Sequence, residues 1–211
     1  MPLTLDHFFV LTEPGAPQAE RLVDLGMPEG SPNDHPGQGT ANRRFFLRDA
    51  MLELLYLRDE QEALNGAGSG LRFAERATPG ASPFGLIVTS PPAHEPPFAG
   101  WRYEPDYFMG ERHFHVADNS DDVREPLCVF VPFDVTPPQH EPRPGEPFAT
   151  LSRLRIALPA ASLSPALEAV ARCERIEFEL NTPHRMDILF GPGRSGMCRD
   201  LRPGLPLIIR W

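Results

Sequence analysis

Cysteine is scarce in this chain. Only Cys128, Cys173 and Cys198 occur, an odd number, widely spaced, with no CxxC pair and no zinc-ribbon spacing. Reduced thiols are the simplest reading, and they point to a cytoplasmic protein; nothing around them marks a catalytic thiol. Long apolar runs are also missing: no stretch reaches the roughly 18 residues that a bilayer-spanning helix needs. The opening Met1-Pro2-Leu3-Thr4 has no basic region, and Phe8-Phe9-Val10-Leu11 is too short for a signal-peptide core. Positive charge is in deficit, with a formal net charge of −9 and a pI near 5.2. A field of that sign repels phosphate backbones and anionic lipid heads, so neither nucleic acid nor membrane is expected as a partner. Hydrophobic residues make up 41%, which is too many for a disordered chain and enough for a packed core.

Proline is abundant, with 26 residues clustered at Pro91 to Pro97 and Pro132 to Pro147. Such runs hold the backbone extended and stop regular elements, so they read as connectors between packed units. In Leu3 to Leu11, Leu5, His7, Phe9 and Leu11 alternate with Asp6, Phe8 and Val10, which predicts a strand covered on both faces. Helical spacing follows from Pro17, closed by Gly26, then a Gly/Pro/Asn/Asp-rich loop over 28–40. Strands are predicted over 41–48 and 51–58, and a short helix, broken at Gly66-Ala67-Gly68, within 61–77.

The order strand, helix, strand, strand then recurs. Strands are predicted at 84–89, 103–108, 113–117 and 127–133, with a proline-rich loop where a helix would stand. A third unit has a strand at 151–158, a helix opened by Ser164-Pro165, and strands at 175–180, 185–190 and 205–211. A repeated supersecondary order is a stronger fold signal than any single element. The implied organisation is a domain of two units over 1–133, a connector over 134–149 and a third unit over 150–211. Cups need such units in pairs, so the third is expected to pack on the first domain as a lid or back wall, or to find its mate across a homodimer.

Three stretches resemble the glyoxalase-like branch of the vicinal oxygen chelate superfamily: Leu5-Asp6-His7-Phe8-Phe9-Val10, His35-Pro36-Gly37-Gln38-Gly39-Thr40-Ala41-Asn42-Arg43-Arg44-Phe45, and Met51-Leu52-Glu53-Leu54-Leu55. The resemblance covers about the first 60 residues and beyond them rests on element order. It implies an α+β fold in which repeated βαβββ modules form a curved, cup-like mixed sheet. It also implies a divalent metal (Fe, Mn, Ni or Zn) held by first-strand and last-strand residues, with His7 on the first position and Glu53 on the second. The departure is plain. Phe84-Gly85-Leu86-Ile87-Val88 and Leu127-Cys128-Val129-Phe130-Val131 carry no matching ligands, and the third unit has none either.

A metal on one histidine and one carboxylate lacks the three protein ligands usual in catalytic sites. His113 and His115, spaced by two on one strand, are the candidates to complete it, with His115 the nominal third ligand. A site without metal is the alternative: a histidine beside a carboxylate in an apolar cavity is how a general acid or base is built. Gln38, Thr40 and Asn42 offer neutral donors and acceptors, Arg43 or Arg44 an anion fork, and Phe9 an apolar wall. Trp101, Tyr103, Tyr107 and Phe108 suit either stacking on a ligand or covering core. Asp187 reads as a solvated strand end, and Ser195 lacks a nucleophile context. The function expected is a glyoxalase-like lyase or isomerase acting on a small organic molecule at His7 and Glu53. The alternative is a binding protein that sequesters such a molecule.

Overall fold

The computed structural model describes residues 3–90, 95–108, 112–134, 146–191 and 196–211. Most of the proline connectors and Ser195 lie outside these residues. The first unit comprises β1 (Thr4–Thr12), α1 (Glu20–Asp24), β2 (Asn33–His35), β3 (Thr40–Phe46) and β4 (Met51–Leu57). Gly26, at φ +87°, ends α1: its N–H donates to Val23 O and the Met27 N–H to Leu22 O. A linker with α2 (Glu60–Asn65) and α3 (Phe73–Arg76) leads to β5 (Phe84–Thr89), β6 (Gly100–Tyr103), β7 (Phe114–Ala117) and β8 (Leu127–Val131). No helix lies between β5 and β6 among the described residues.

These strands form one eight-stranded sheet in the order β2-β3-β4-β1-β5-β8-β7-β6. In each unit the last strand returns parallel to the first, β4 beside β1 and β8 beside β5, and β1 and β5 pair antiparallel at the centre. The sheet is curled and gives an α+β half-barrel. Alternation along β1 divides the chain's apolar residues between two cores. Phe8 and Val10 join Phe45, Leu52, Leu54, Leu86 and Phe130 on the convex side, and Phe9 and Leu11 join Leu55, Ile87, Val116 and Val129 on the concave side. Each such side chain contributes about 1.5–3 kcal/mol when taken from water.

The third unit has β9 (Leu151–Ala157), α4 (Pro165–Val170), β10 (Ile176–Glu179), β11 (Arg185–Phe190), β12 (Cys198–Asp200) and β13 (Leu207–Arg210). Its sheet runs β10-β9-β11-β13-β12. This corrects the reading of a third βαβββ module. The helix crossover brings β10 back parallel beside β9, and the last long strand lies beside β11. Element order is shared with the other units, but pairing is decided by where each strand finds an open edge. One face of this sheet, including Leu154, Ile156, Ile188, Leu207 and Ile209, shares a single apolar cluster with the convex face of the cup. It therefore forms the back wall. Arg175 to Asp49 (2.9 Å) and Ser164 Oγ to Glu125 (2.6 Å) tie the two layers at their rim.

Two further corrections concern elements. The predicted strand over 103–108 ends at Tyr103, because Pro105 cannot donate to a ladder; Tyr107 and Phe108 turn over the cup instead. β2 lies inside the predicted loop and makes a hairpin with β3.

Candidate functional site

A β-bulge prepares the site. Along β1 the pairing with β5 shifts between Leu5 and His7, leaving Asp6 as the extra residue. The shift sends Leu5 to the convex core and His7 to the concave face, and it sets the Asp6 carboxylate 2.5 Å from His7 Nδ1. Glu53 on β4 pairs in register with Phe9, so it shares the concave face with His7. Glu53 is 7% exposed, and its carboxylate accepts a 2.9 Å bond from Asn42 Nδ2, while Asn42 Oδ1 accepts from the backbone of Asn33.

The β2–β3 hairpin supplies the rest of the polar end. Gly37 and Gly39 adopt φ +79° and +70° at its turn, and a Cβ on Gly39 would meet Asp59 O at 2.4 Å. The Gly37 N–H donates to Glu62 on α2, so the linker clamps the turn. His35, Gln38 and Thr40 are thereby buried together: Gln38 Nε2 donates to Thr40 Oγ1 (2.7 Å), which lies 3.0 Å from His35 Nδ1. The Tyr103 and Tyr107 hydroxyls both reach Gln38 Oε1 at 3.5 Å.

Of these, His7, Asn33, His35, Gln38, Glu53, Tyr103 and Tyr107 form the polar lining of a cavity of about 210 Å³. Its other walls are apolar, with Phe9, Leu55, Ile87, Phe114, Val116 and Val129 from the sheet and Leu71 and Phe73 from the linker above. The first unit brings the histidines and the carboxylate, and the second unit adds two phenols but none of the ligands at the matching positions. For His7, burial disfavours the charged ring, but the Asp6 bond and the charges of Glu53 and Asp6 outweigh it and raise the pKa; Arg44 opposes them. For His35, burial dominates and lowers the pKa, against the pull of Glu53 and with further lowering by His7 and Arg44. Burial also raises the pKa of both tyrosines, which stay neutral phenols.

The paired units, each with its last strand parallel to its first, decide the architecture. The fold is glyoxalase-like. No family model and no curated protein matches the sequence. Among solved structures, a hypothetical protein from Staphylococcus aureus is 12% identical with a TM-score of 0.56, covering 100% of this chain and 98% of that one. That similarity extends the shared fold over the third unit. A methylmalonyl-CoA epimerase solved with methylmalonyl-CoA and NH4+ is 14% identical with a TM-score of 0.44, covering 62% of this chain and 94% of that one. The methylmalonyl-CoA epimerase of Mycobacterium tuberculosis is 15% identical, with a TM-score of 0.40 over 61% of this chain and 86% of that one.

Several sequence candidates lie elsewhere. His115 is on the opposite face of β7 from Phe114 and Val116; its Nε2 is 3.0 Å from Phe98 O and its ring stacks on Phe98. His113 precedes β7 and does not line the cavity. This corrects the expectation that both histidines look into the cup: the strand turns Phe114 and Val116 to the cavity instead. Arg43 pairs with Leu54 on the convex face and is held by Glu29 and Glu20, so it is no anion fork for the cup. Arg44 takes the concave face but bonds to Ser31. Trp101 packs in the concave core beneath Gly70 and donates to Ser120 Oγ, outside the cavity lining. Asn42 is fully buried and does not line the cavity itself; it bonds to Glu53 and to the backbone of Asn33, which do. Asp187 is not solvated: it is 4% exposed and bonds to Arg185.

The donor set does not fit a resident metal. Among the described residues no three His, Cys, Asp or Glu side chains come together as a metal cluster, and the nominal third ligand faces away. Asn33 and His35 are the polar cavity residues that sequence reasoning gave no role of their own. The signal for His35 was the hairpin register, which pairs it with Thr40 across the Gly37-Gln38-Gly39 turn.

Proposed function

We propose that this chain binds a small, largely apolar organic molecule in the cup and relocates a proton on it, as a metal-free isomerase or lyase. The observation that carries the reading is the common placement of His7 and Glu53 on the concave face, at the polar end of an otherwise apolar cavity. Glu53 serves as the base. His7, oriented by Asp6 and favoured in its charged form, serves as the acid. The apolar walls exclude water, which strengthens both roles.

The size of the apolar wall favours a second reading, sequestration without turnover. One experiment separates them. Small aldehydes, ketones and hydroxyketones are incubated with the protein in D2O, and carbon-bound deuterium is followed by NMR. Isomerase-type chemistry is expected to give exchange that falls about 10²-fold or more in Glu53→Gln and in His7→Ala. Ligand binding that survives Glu53→Gln, with no exchange for any compound, would establish sequestration instead.

A further inference from the structure

Thr40 is completely buried, and so its hydroxyl hydrogen needs an acceptor. The hydroxyl oxygen has two close partners, Gln38 Nε2 at 2.7 Å and His35 Nδ1 at 3.0 Å. The orientation of Gln38 follows from the other end of its amide. The phenols of Tyr103 and Tyr107 each bring a hydroxyl hydrogen to it, and one carbonyl oxygen, with two lone pairs, accepts both. Gln38 therefore points Oε1 at the tyrosines and donates through Nε2 to Thr40. Thr40 already accepts that bond, and His35 Nδ1 is the acceptor within reach of its own hydrogen. The relay runs one way, from the tyrosines through Gln38 and Thr40 to His35.

A histidine that accepts at Nδ1 carries its proton on Nε2. His35 lines the cavity, and Nε2 is the polar atom it has left to offer there. His7 is pinned the opposite way: its Nδ1–H donates to the Asp6 carboxylate, so the Nε2 that is left for the cavity carries a hydrogen only when the ring is charged. We infer that His35 as a neutral imidazole and His7 as an imidazolium form a pair of N–H donors for the oxyanion that develops when Glu53 takes a proton from the carbon beside a substrate carbonyl. The inference rests on the acid/base reading above and goes beyond it by assigning the groups that hold the oxyanion. The step balances without a co-reactant. Glu53 takes the proton from the α-carbon. The C–H electron pair becomes the enolate double bond, and the carbonyl oxygen takes up the charge between the two N–H groups. Glu53 then returns the proton to carbon. Neutral His35 suits the role because it donates without first having to lose or gain a proton, and His7, held by the Asp6 carboxylate, brings a charged N–H to the same oxygen.

The tautomer is tested directly by 15N NMR of the histidine side chains in the intact protein at pH 7.5. The expected result is a protonated Nε2 and an unprotonated Nδ1 on His35, with that preference lost in Thr40→Val. A wild-type His35 protonated at Nδ1 overturns the inference, whether or not the variant folds. The donor pair is tested with 4-nitrophenol, an apolar probe whose absorbance reports its ionisation. Glu53→Gln, which removes the competing negative charge, is expected to bind it as the phenolate, with at least tenfold weaker binding once His35→Phe is added. Binding indifferent to His35, or no binding, removes the oxyanion role. If the deuterium exchange assay fails while both of these results hold, the donor pair stands and only the catalytic reading falls.

Discussion

The two cavity histidines differ in sign, and at the scale of single residues this makes a prediction. His7 titrates above the ordinary 6.5, so the stability it contributes is complete below that pH and is lost as pH rises through its folded-state value. His35 titrates below 6.5, so its contribution is complete above that pH and is lost as pH falls through its folded-state value. Urea midpoints should therefore separate wild type from His7→Gln more at pH 6 than at pH 9, and from His35→Gln more at pH 8 than at pH 5. The reverse ordering for either residue would sink the assignment. His7 and Glu53 were legible as a pair because β-alternation and the spacing of the first strands place them on one face. Asp6 as the partner of His7 was not, because a bulge is a property of two paired strands and leaves no mark in one.

Elements carry the next constraint. Phe9 lies across β5 at Gly85, where an added Cβ would meet the ring at 1.9 Å. Gly85→Val should push the ring into the cup, cost about 1–3 kcal/mol in urea unfolding and weaken 4-nitrophenol binding to the Glu53→Gln background. Unchanged stability would show that the ring has another place to go. Most strands were predictable to within a residue or two, since half-buried alternation is written along the chain. The phase of β7 was not. His113, Phe114, His115 and Val116 fit either face, and only the pairing of Val116 with Val129 on β8 turns the histidines outward. The short β2 escaped because a three-residue strand has too few positions to show a period.

The two sheets share one apolar cluster, so the whole molecule should unfold as a unit. Its two tryptophans report the layers separately: Trp101 sits on β6 of the cup, and Trp211 packs on Phe148 against the third unit. Unfolding curves of Trp101→Phe and Trp211→Phe, each read by the remaining tryptophan, should follow one shared transition once their stability difference is allowed for. Ile156→Ala, made in the third unit, should lower both by about 2–5 kcal/mol. A cup signal that ignores Ile156 would mean that the layers fold independently.

The sequence by itself determined the half-barrel, the division of its apolar residues between two faces, and the chemistry concentrated near its start. The half-barrel was what the resemblance of three stretches implied; the strands and their alternation needed only local period, which depends on neighbours along the chain. Tertiary structure alone decided that the third unit re-pairs its strands into a back wall, that His115 and Arg43 face away from the cup, and that His35 enters it through a buried relay. Each of those depends on a partner strand or side chain distant in sequence, and hydrogen-bond direction in a buried network is settled only when every donor has found its acceptor.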